Sequence, residues 1–198
     1  DKVFGTPSYY VQNVMANNVG TRVLPVKQEN PYTYDNVKVK PAVCQVGMGT
    51  WGTQVSFKDE GYTDDKGNAL PATLELTQTD IRGSWKVEGD EIKQTSNEES
   101  CIRLNPGKIT SDGYIYKVRA KKDAGNEGFL VVFNYVDENN YCWLNLGGWN
   151  NTQHGIEQIV NGAKSQVATC PGKVETGKWY DIELKIQGDS IFASVDGK

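Results

Sequence analysis

Alternation of apolar and polar residues dominates the chain from Thr21 onward. About twelve short segments have a period of two, and "GYIYKVRAKK", "NYCWLNL" and "SIFASV" show it clearly. Runs rich in Gly, Asn, Asp and Pro separate these segments at intervals of about 8 to 12 residues. The pattern predicts an all-β protein in which two antiparallel sheets pack as a sandwich.

One segment near the start departs from this period. In "TPSYYVQNVMANNVG", Thr6 suits a helix N-cap and Pro7 the first helical position, because proline lacks the amide hydrogen that would be unpaired there. Apolar residues then recur at helical spacing, namely Tyr10, Val11, Val14 and Met15. The sequence predicts one N-terminal helix, ending at Gly20, that needs a partner surface for its apolar stripe.

The last residues, "VDGK", have the form of a two-residue hairpin turn. Asp196-Gly197 is a pair that favours positive φ, and such a turn normally joins two paired strands. Together with the unpartnered helix, it predicts a chain that is part of a longer protein and lacks its closing strand.

Charge, apolar runs and cysteine spacing argue against several classes of partner and cofactor. The chain has 198 residues, a net charge of −4 and no basic patch, which argues against nucleic acid, and the apolar run 129–133 is too short to cross a membrane. No C-x-x-C pair occurs among the four cysteines, so a zinc ribbon is not predicted. Buried free thiols are favoured, while two disulfides with three possible connectivities stay open.

Catalytic signatures are absent. The chain has no Walker A loop, G-x-G-x-x-G, H-E-x-x-H or G-x-S-x-G, and a triad would depend on the single histidine, His154. Glycosidase chemistry would need two facing carboxylates, and Glu127, Glu138 and Glu157 are not paired by sequence alone. No cofactor is predicted; "DDKGNALPATLE" fails the ligand spacing of a calcium loop, and a structural calcium elsewhere stays open.

The stretch "NYCWLNLGGWNNTQHGIEQ" combines flat aromatic rings with amides and an imidazole. Sugars present apolar C–H faces and many hydroxyl groups, which such side chains recognise by stacking and by hydrogen bonding. Gly147 and Gly148 are expected to leave room for a sugar ring. The predicted sugar-binding residues are Tyr141, Trp143, Asn145, Trp149, Asn150, Asn151, Gln153 and His154.

Alternation within "NYCWLNL" assigns these residues to faces. The aliphatic face, Cys142, Leu144 and Leu146, is predicted as core, which directs the other face toward a concave surface or solvent. The alternative is that Trp143 and Trp149 belong to the core themselves. Core positions are also predicted for three further tryptophans, Trp51, Trp85 and Trp179.

Two stretches carry a family resemblance. "GTPSYYVQNVMANNVGTRVLPV" resembles the end of the catalytic barrel of family 51 glycoside hydrolases, the α-L-arabinofuranosidases. "EGFLVVFNYVDENNYCWLNLGGWNNTQHGIEQ" and "ETGKWYDIELKIQGDSIFASVDGK" are similar to the concanavalin A-like, laminin G-like module attached to such enzymes in bacteria. The resemblance implies that residues 1–26 are a remnant of the barrel and residues 27–198 a jelly-roll sandwich.

The resemblance also implies a function. We expect a non-catalytic carbohydrate-binding or accessory module of a secreted, periplasmic or cell-surface bacterial enzyme. Its partners would be a plant cell-wall polysaccharide or arabinose-containing oligosaccharide and the upstream catalytic barrel. None of the positions in this chain that carry the resemblance corresponds to a catalytic residue of those enzymes. The alternatives are a sandwich that only braces the barrel, or a concanavalin A-like glycoside hydrolase.

Overall fold

A computed structural model describes residues 41–70, 79–111, 113–188 and 190–198 of the chain. The predicted N-terminal helix, the barrel remnant 1–26 and the boundary after it lie outside the described residues. Described residues form strands and one helical turn, with these bounds in chain order: β1 (Gln45–Thr50), β2 (Thr53–Asp64), β3 (Thr79–Arg82), β4 (Trp85–Glu88), β5 (Glu91–Gln94), β6 (Cys101–Leu104), β7 (Gly113–Gly125), β8 (Phe129–Asp137), β9 (Asn140–Gly147), α1 (Gly148–Asn151), β10 (Gln153–Val160), β11 (Ala163–Pro171), β12 (Trp179–Gln187) and β13 (Ser190–Val195).

The strands make two antiparallel sheets that pack as a sandwich, which confirms the predicted fold class. The seven-stranded sheet has the order β11-β10-β9-β8-β1-β6-β3, and the six-stranded sheet has the order β13-β12-β7-β2-β5-β4. Paired strands within both sheets run antiparallel. Strand β9 lies between β8 and β10, so its side chains have neighbours on both sides.

The main core lies between the sheets and is built from alternate residues of each strand. In β12 the inward residues are Tyr180, Ile182, Leu184 and Ile186. Trp179 was expected to share that face, and this prediction was wrong because the period of two runs unbroken from Tyr180. Its half-buried indole instead lies beside the cations of Lys58 and Lys121, 5.5 and 5.0 Å from the ring centre.

A second apolar cluster covers the outer face of the seven-stranded sheet. Leu130 and Val132 of β8 lie in it, whereas Phe129, Val131 and Phe133 point into the main core. A strand that is buried on both faces reads as a continuous apolar run rather than an alternating one, which explains "FLVVF". This outer cluster is completed by residues of neighbouring strands, namely Ile102, Leu104, Tyr135, Tyr141, Trp143 and Ile159.

The other two tryptophans predicted as core are only partly buried. Trp51, in the β1–β2 turn, packs against the outer cluster. Trp85 packs against the main core, where its ring centre lies 6.1 Å from that of Phe57.

The turn predicted at Asp196-Gly197 is confirmed. Both residues have positive φ, 53° and 74°, as a type I′ turn requires. The Val195 amide donates to the Lys198 carbonyl at 3.0 Å, and the Lys198 amide donates to the Val195 carbonyl at 3.1 Å.

The segment that weakly resembled a calcium loop contains an ordinary aspartate turn. The Asp64 carboxylate accepts hydrogen bonds from the amides of Lys66 and Asn68 and from the Asn68 side chain, at 2.7–2.9 Å. Within the described ranges, no three His, Cys, Asp or Glu side chains are grouped so that they could hold a metal ion.

All four cysteines are free thiols. Cys44, Cys101 and Cys142 are buried and Cys170 is half-buried. Burial disfavours the charged thiolate, and it raises the pKa of Cys44 to about 11 and that of Cys142 to about 12. Burial also raises the pKa of Cys170, although the backbone of His154 opposes the shift with a hydrogen bond.

We therefore predict that a thiol reagent modifies only Cys170 in the folded protein, and slowly, because the thiolate is the reactive form. Ellman's reagent at pH 8 would measure this, with the same protein in 6 M guanidinium as the control. All four thiols should react in the denaturant. Fewer than four there would reveal a disulfide and contradict the structure.

Candidate functional site

Strands β9 and β10 bring the predicted residues together on the outer face of the seven-stranded sheet. Tyr141, Trp143 and Asn145 pair across the ladder with Ile159, Glu157 and Gly155. The predicted division of faces is confirmed, since Cys142, Leu144 and Leu146 all lie in the main core.

The expected exposure of this face was wrong. Tyr141, Trp143 and Asn145 are only 7%, 1% and 6% exposed. Their rings and amide pack into the outer cluster and its polar centre, so Trp143 is a buried residue, as the alternative interpretation held.

Glu157 is the polar centre of this face. Its Oε2 accepts hydrogen bonds from Nε1 of Trp143 at 2.7 Å and from Nδ2 of Asn145 at 3.2 Å. Lys164 of β11 supplies a cation 3.6 Å from Oε1. A buried carboxylate loses its hydration, so these donors are what make the burial of Glu157 tolerable. The sequence named Glu157 only as one of three possible carboxylates.

Aromatic rings continue from this centre in both directions. Tyr135 and Tyr141 have ring centres 5.4 Å apart, as do Tyr141 and Trp143, and Trp143 meets Trp51 edge-on at 6.1 Å. The Lys164 ammonium lies 4.3 Å from the Trp51 ring centre. We call these four rings the aromatic row.

The connection from β9 to β10 is a single left-handed turn. Trp149, Asn150 and Asn151 have φ of 51°, 58° and 60°, and the Thr152 amide donates to the Gly148 carbonyl at 3.0 Å. Left-handed helical backbone costs about 1–2 kcal/mol per L-residue, and asparagine tolerates it better than other residues do. A tryptophan in this conformation is unusual, and such strain persists only where the surroundings impose it.

Neighbouring loops hold this turn in place. The Asn151 side chain donates to the Val174 carbonyl at 2.9 Å and accepts from the Val174 amide at 2.7 Å. The Asn150 amide donates to Oε1 of Glu127 at 3.1 Å, and Thr152 Oγ1 donates to the Trp149 carbonyl at 2.7 Å. Val174 was missed from sequence, because it acts through its backbone and lies 23 residues from Asn151.

Trp149 is half-buried and lies across strand β10. A Cβ atom at Gly155 would come within 2.9 Å of Cη2 of the indole, so the glycine is what lets the ring lie there. Asn150 and Thr152 beside it are exposed, and Gln153 is half-buried. Asn151 and His154 are half-buried as well, but both are hydrogen-bonded within the protein. Of the predicted residues, Trp149, Asn150 and Gln153 are therefore the ones most open to an external ligand.

Gly147 and Gly148 do not leave space for a ligand, contrary to expectation. A Cβ atom at Gly147 would meet Oδ1 of Asn151 at 2.6 Å, and one at Gly148 would meet the amide of Asn145. The space beside these two glycines is therefore occupied by the side chains of Asn151 and Asn145.

His154 supports the turn from the other side. Its Nδ1 accepts a hydrogen bond from the Gly147 amide at 2.9 Å, and its ring lies against Gly172. Burial lowers the pKa of His154 below its ordinary value of 6.5, partly offset by a hydrogen bond to the Gln153 backbone, which favours the protonated ring. The imidazole is therefore neutral at pH 7, and its tautomer carries the proton on Nε2.

A depression of about 310 Å³ lies on the six-stranded sheet, where residues of β12 and β13 line it. Phe192 is its one aromatic residue, and the Glu183 carboxylate there is paired with Lys117 at 3.1 Å. The predicted residues lie on the other sheet, so this depression is not the candidate site.

Comparison with known proteins gives one informative relative. The chain is 35% identical, over 201 aligned positions, to an extracellular exo-α-L-arabinofuranosidase of Streptomyces chartreusis, and the alignment takes in 98% of the chain. The chain spans 24% of the length of that protein. No protein-family model matches the chain, and no solved structure matches it. The β-sandwich is homologous to part of an arabinofuranosidase. Among its described residues, none forms a helix long and apolar enough to cross a bilayer.

The role of His154 gives a pH prediction. The unfolded chain binds a proton near pH 6.5 while the native imidazole stays neutral to lower pH, so stability should fall as pH drops below about 6.5. His154 is the only histidine, so one imidazole resonance should titrate by NMR, with a midpoint below 6.5.

His154→Asn is the matched variant, because its side-chain oxygen can replace Nδ1 as the acceptor without titrating. Denaturant unfolding at pH 7.0 and 5.5 should show a smaller loss of stability for the variant than for the wild type. A wild-type midpoint at or above 6.5 would contradict the assigned hydrogen bond.

Proposed function

We propose that this β-sandwich is a carbohydrate-binding accessory domain of an α-L-arabinofuranosidase-like enzyme, with Trp149 as its stacking platform. The polymer would be plant arabinan or arabinoxylan, and the enzyme would work outside the cell, as the relative does by its name. The observation that carries the proposal is the half-buried indole in a left-handed turn that two loops, at Val174 and Glu127, hold in place.

Backbone strain supports a binding role for this turn. Three consecutive left-handed residues cost stability, and a glycine at position 149 would avoid much of that cost. Strained conformations that the surroundings over-determine cluster at ligand sites. A turn fixed before the ligand arrives also avoids the ordering entropy that a mobile loop loses on binding.

Chemistry at the turn suits a sugar. A flat indole can stack on the C–H face of a sugar ring, and the exposed amide of Asn150 can both donate and accept hydrogen bonds with hydroxyl groups. Gln153, at the start of β10, offers a second amide on the same side of the turn. In this proposal Asn151 and His154 position the turn, while Trp143 and Asn145 hold Glu157 beneath it.

The catalytic barrel is the proposed partner in the same polypeptide. Tethering a weak binding module to an enzyme raises the effective concentration of polymer near its active site. Weak affinity for a repeating polymer is therefore sufficient for the proposed role.

A purely structural role, in which the sandwich only braces the catalytic barrel, is the second candidate function; we call it the brace function. Burial of Trp143 and Asn145 favours it, because these two residues then serve packing rather than recognition. Under the brace interpretation Trp149 contacts no sugar, so the two functions differ over this residue.

We predict that Trp149→Ala weakens retention in native affinity gels containing arabinan or arabinoxylan by about five- to thirtyfold, as expected for losing a stacking contact of about 1–2 kcal/mol. Trp179→Ala is the matched control, because Trp179 is also half-buried but lies on the opposite sheet. Circular dichroism and thermal unfolding would confirm that both variants fold.

Equal retention of the wild type and a folded Trp149→Ala would exclude the platform role. If the wild type passes through arabinan, arabinoxylan and xylan gels without delay, the brace function is favoured instead.

A further inference from the structure

A small pocket opens on the outer face of the seven-stranded sheet, at the far end of strand β9 from Trp149. Its volume is about 80 Å³, and β3, β6, β8 and β9 all contribute to its walls. The groups with hydrogen-bonding capacity around it are Arg82, Ser100, Tyr135, Glu138 and Tyr141. We infer that this pocket is a second saccharide subsite, which takes one neutral sugar ring at a chain end or side branch.

The two tyrosines form one side of the pocket. Their ring centres are 5.4 Å apart with an angle of 34° between planes, and they are 6% and 7% exposed. Burial raises the pKa of Tyr135 to about 12 and also raises that of Tyr141. Both phenols therefore stay protonated and can donate as well as accept hydrogen bonds.

Opposite charges converge on the opening. Arg82 and Glu138 are exposed, and neither forms an ion pair with any residue in the described ranges. A guanidinium offers several donors in a fixed plane, and a carboxylate accepts from two adjacent hydroxyl groups. The pair thus matches the vicinal hydroxyls of a sugar.

The same charges select against an acidic ligand. Glu138 neutralises the attraction that Arg82 would exert on a carboxylate or phosphate, and Asp137 beside it adds further negative charge. A neutral polyol is therefore the favoured ligand class over a uronic acid.

Ser100 gives an independent sign of a built site. It is a non-glycine residue with φ of 56°, immediately before β6, and its side chain lies beside the Tyr141 phenol. Such backbone strain points to function when a site is already indicated by its geometry.

The size of the pocket fits one ring rather than a chain. A volume of 80 Å³ corresponds to about six water molecules, when one needs roughly 10–15 Å³. From Tyr141 to Gly147 strand β9 extends about 20 Å, so the pocket and the Trp149 turn contact different sugars of one oligosaccharide. This inference rests on the proposed carbohydrate-binding function and adds a second contact point to it.

The test uses the double variant Arg82→Ala/Glu138→Ala, since both side chains are exposed and their loss should leave the fold intact. Calorimetry with linear and branched arabino-oligosaccharides should show at least tenfold weaker binding than the wild type. L-Arabinose alone should shift the Ile102 methyl resonances of the wild type but not those of the variant. Glu183→Ala/Lys185→Ala, in the depression on the other sheet, is the matched control and should bind normally.

The outcomes separate the two claims. If the double variant binds normally and Trp149→Ala does not, the pocket is not a subsite and the proposed function stands. If the double variant loses binding and Trp149→Ala keeps it, the pocket is the main site and the platform role fails. If the wild type binds neither the arabino-oligosaccharides nor L-arabinose, both the subsite and the proposed carbohydrate-binding function are overturned.

Discussion

Two hydrogen bonds between the Asn151 side chain and the Val174 backbone hold the feature on which this account depends. They fix a left-handed turn that includes a tryptophan, at the end of a strand pair where a simpler turn would cost less energy. Because the turn is fixed, the indole of Trp149 lies over Gly155 and stays half-buried instead of folding into the core. His154 of β10 and Glu127 act on the same turn from separate positions, so contacts from one strand and two loops offset the strain.

Outer-face packing explains why so few of the aromatic residues are available to a ligand. The seven-stranded sheet is apolar on both faces, and its outer cluster takes up Tyr141 and Trp143. Glu157 lies buried within this layer only because an indole, an amide and an ammonium group surround its carboxylate. In our proposals, recognition falls to the two ends of the face, at the Trp149 turn and at the pocket lined by Arg82.

Periodicity of two predicted the strands and the two sides of β9, and the Asp-Gly pair predicted the terminal turn, because these are local properties of the chain. Exposure was not predictable in the same way: alternation shows that Trp143 and Leu144 point to opposite faces, but not that both faces are buried. Trp179 was misplaced because alternation runs unbroken along β12 and puts this residue on the face opposite Tyr180 and Ile182. The pocket lined by Arg82 and Glu138 could not be predicted from the sequence. Its residues come from β3, β6, β8, β9 and the adjoining turns, which meet only in the folded protein.

The most direct test is an NMR titration of the protein's five indole N–H groups with an arabino-oligosaccharide. We expect the Trp149 resonance, assigned by its loss in Trp149→Phe, to shift progressively with ligand. Trp143, whose N–H is bonded to Glu157, should shift less, and Trp179 should not shift. A Trp149 resonance that stays unchanged at saturating ligand, or a response at Trp179 instead, would show that Trp149 is not the sugar-binding platform.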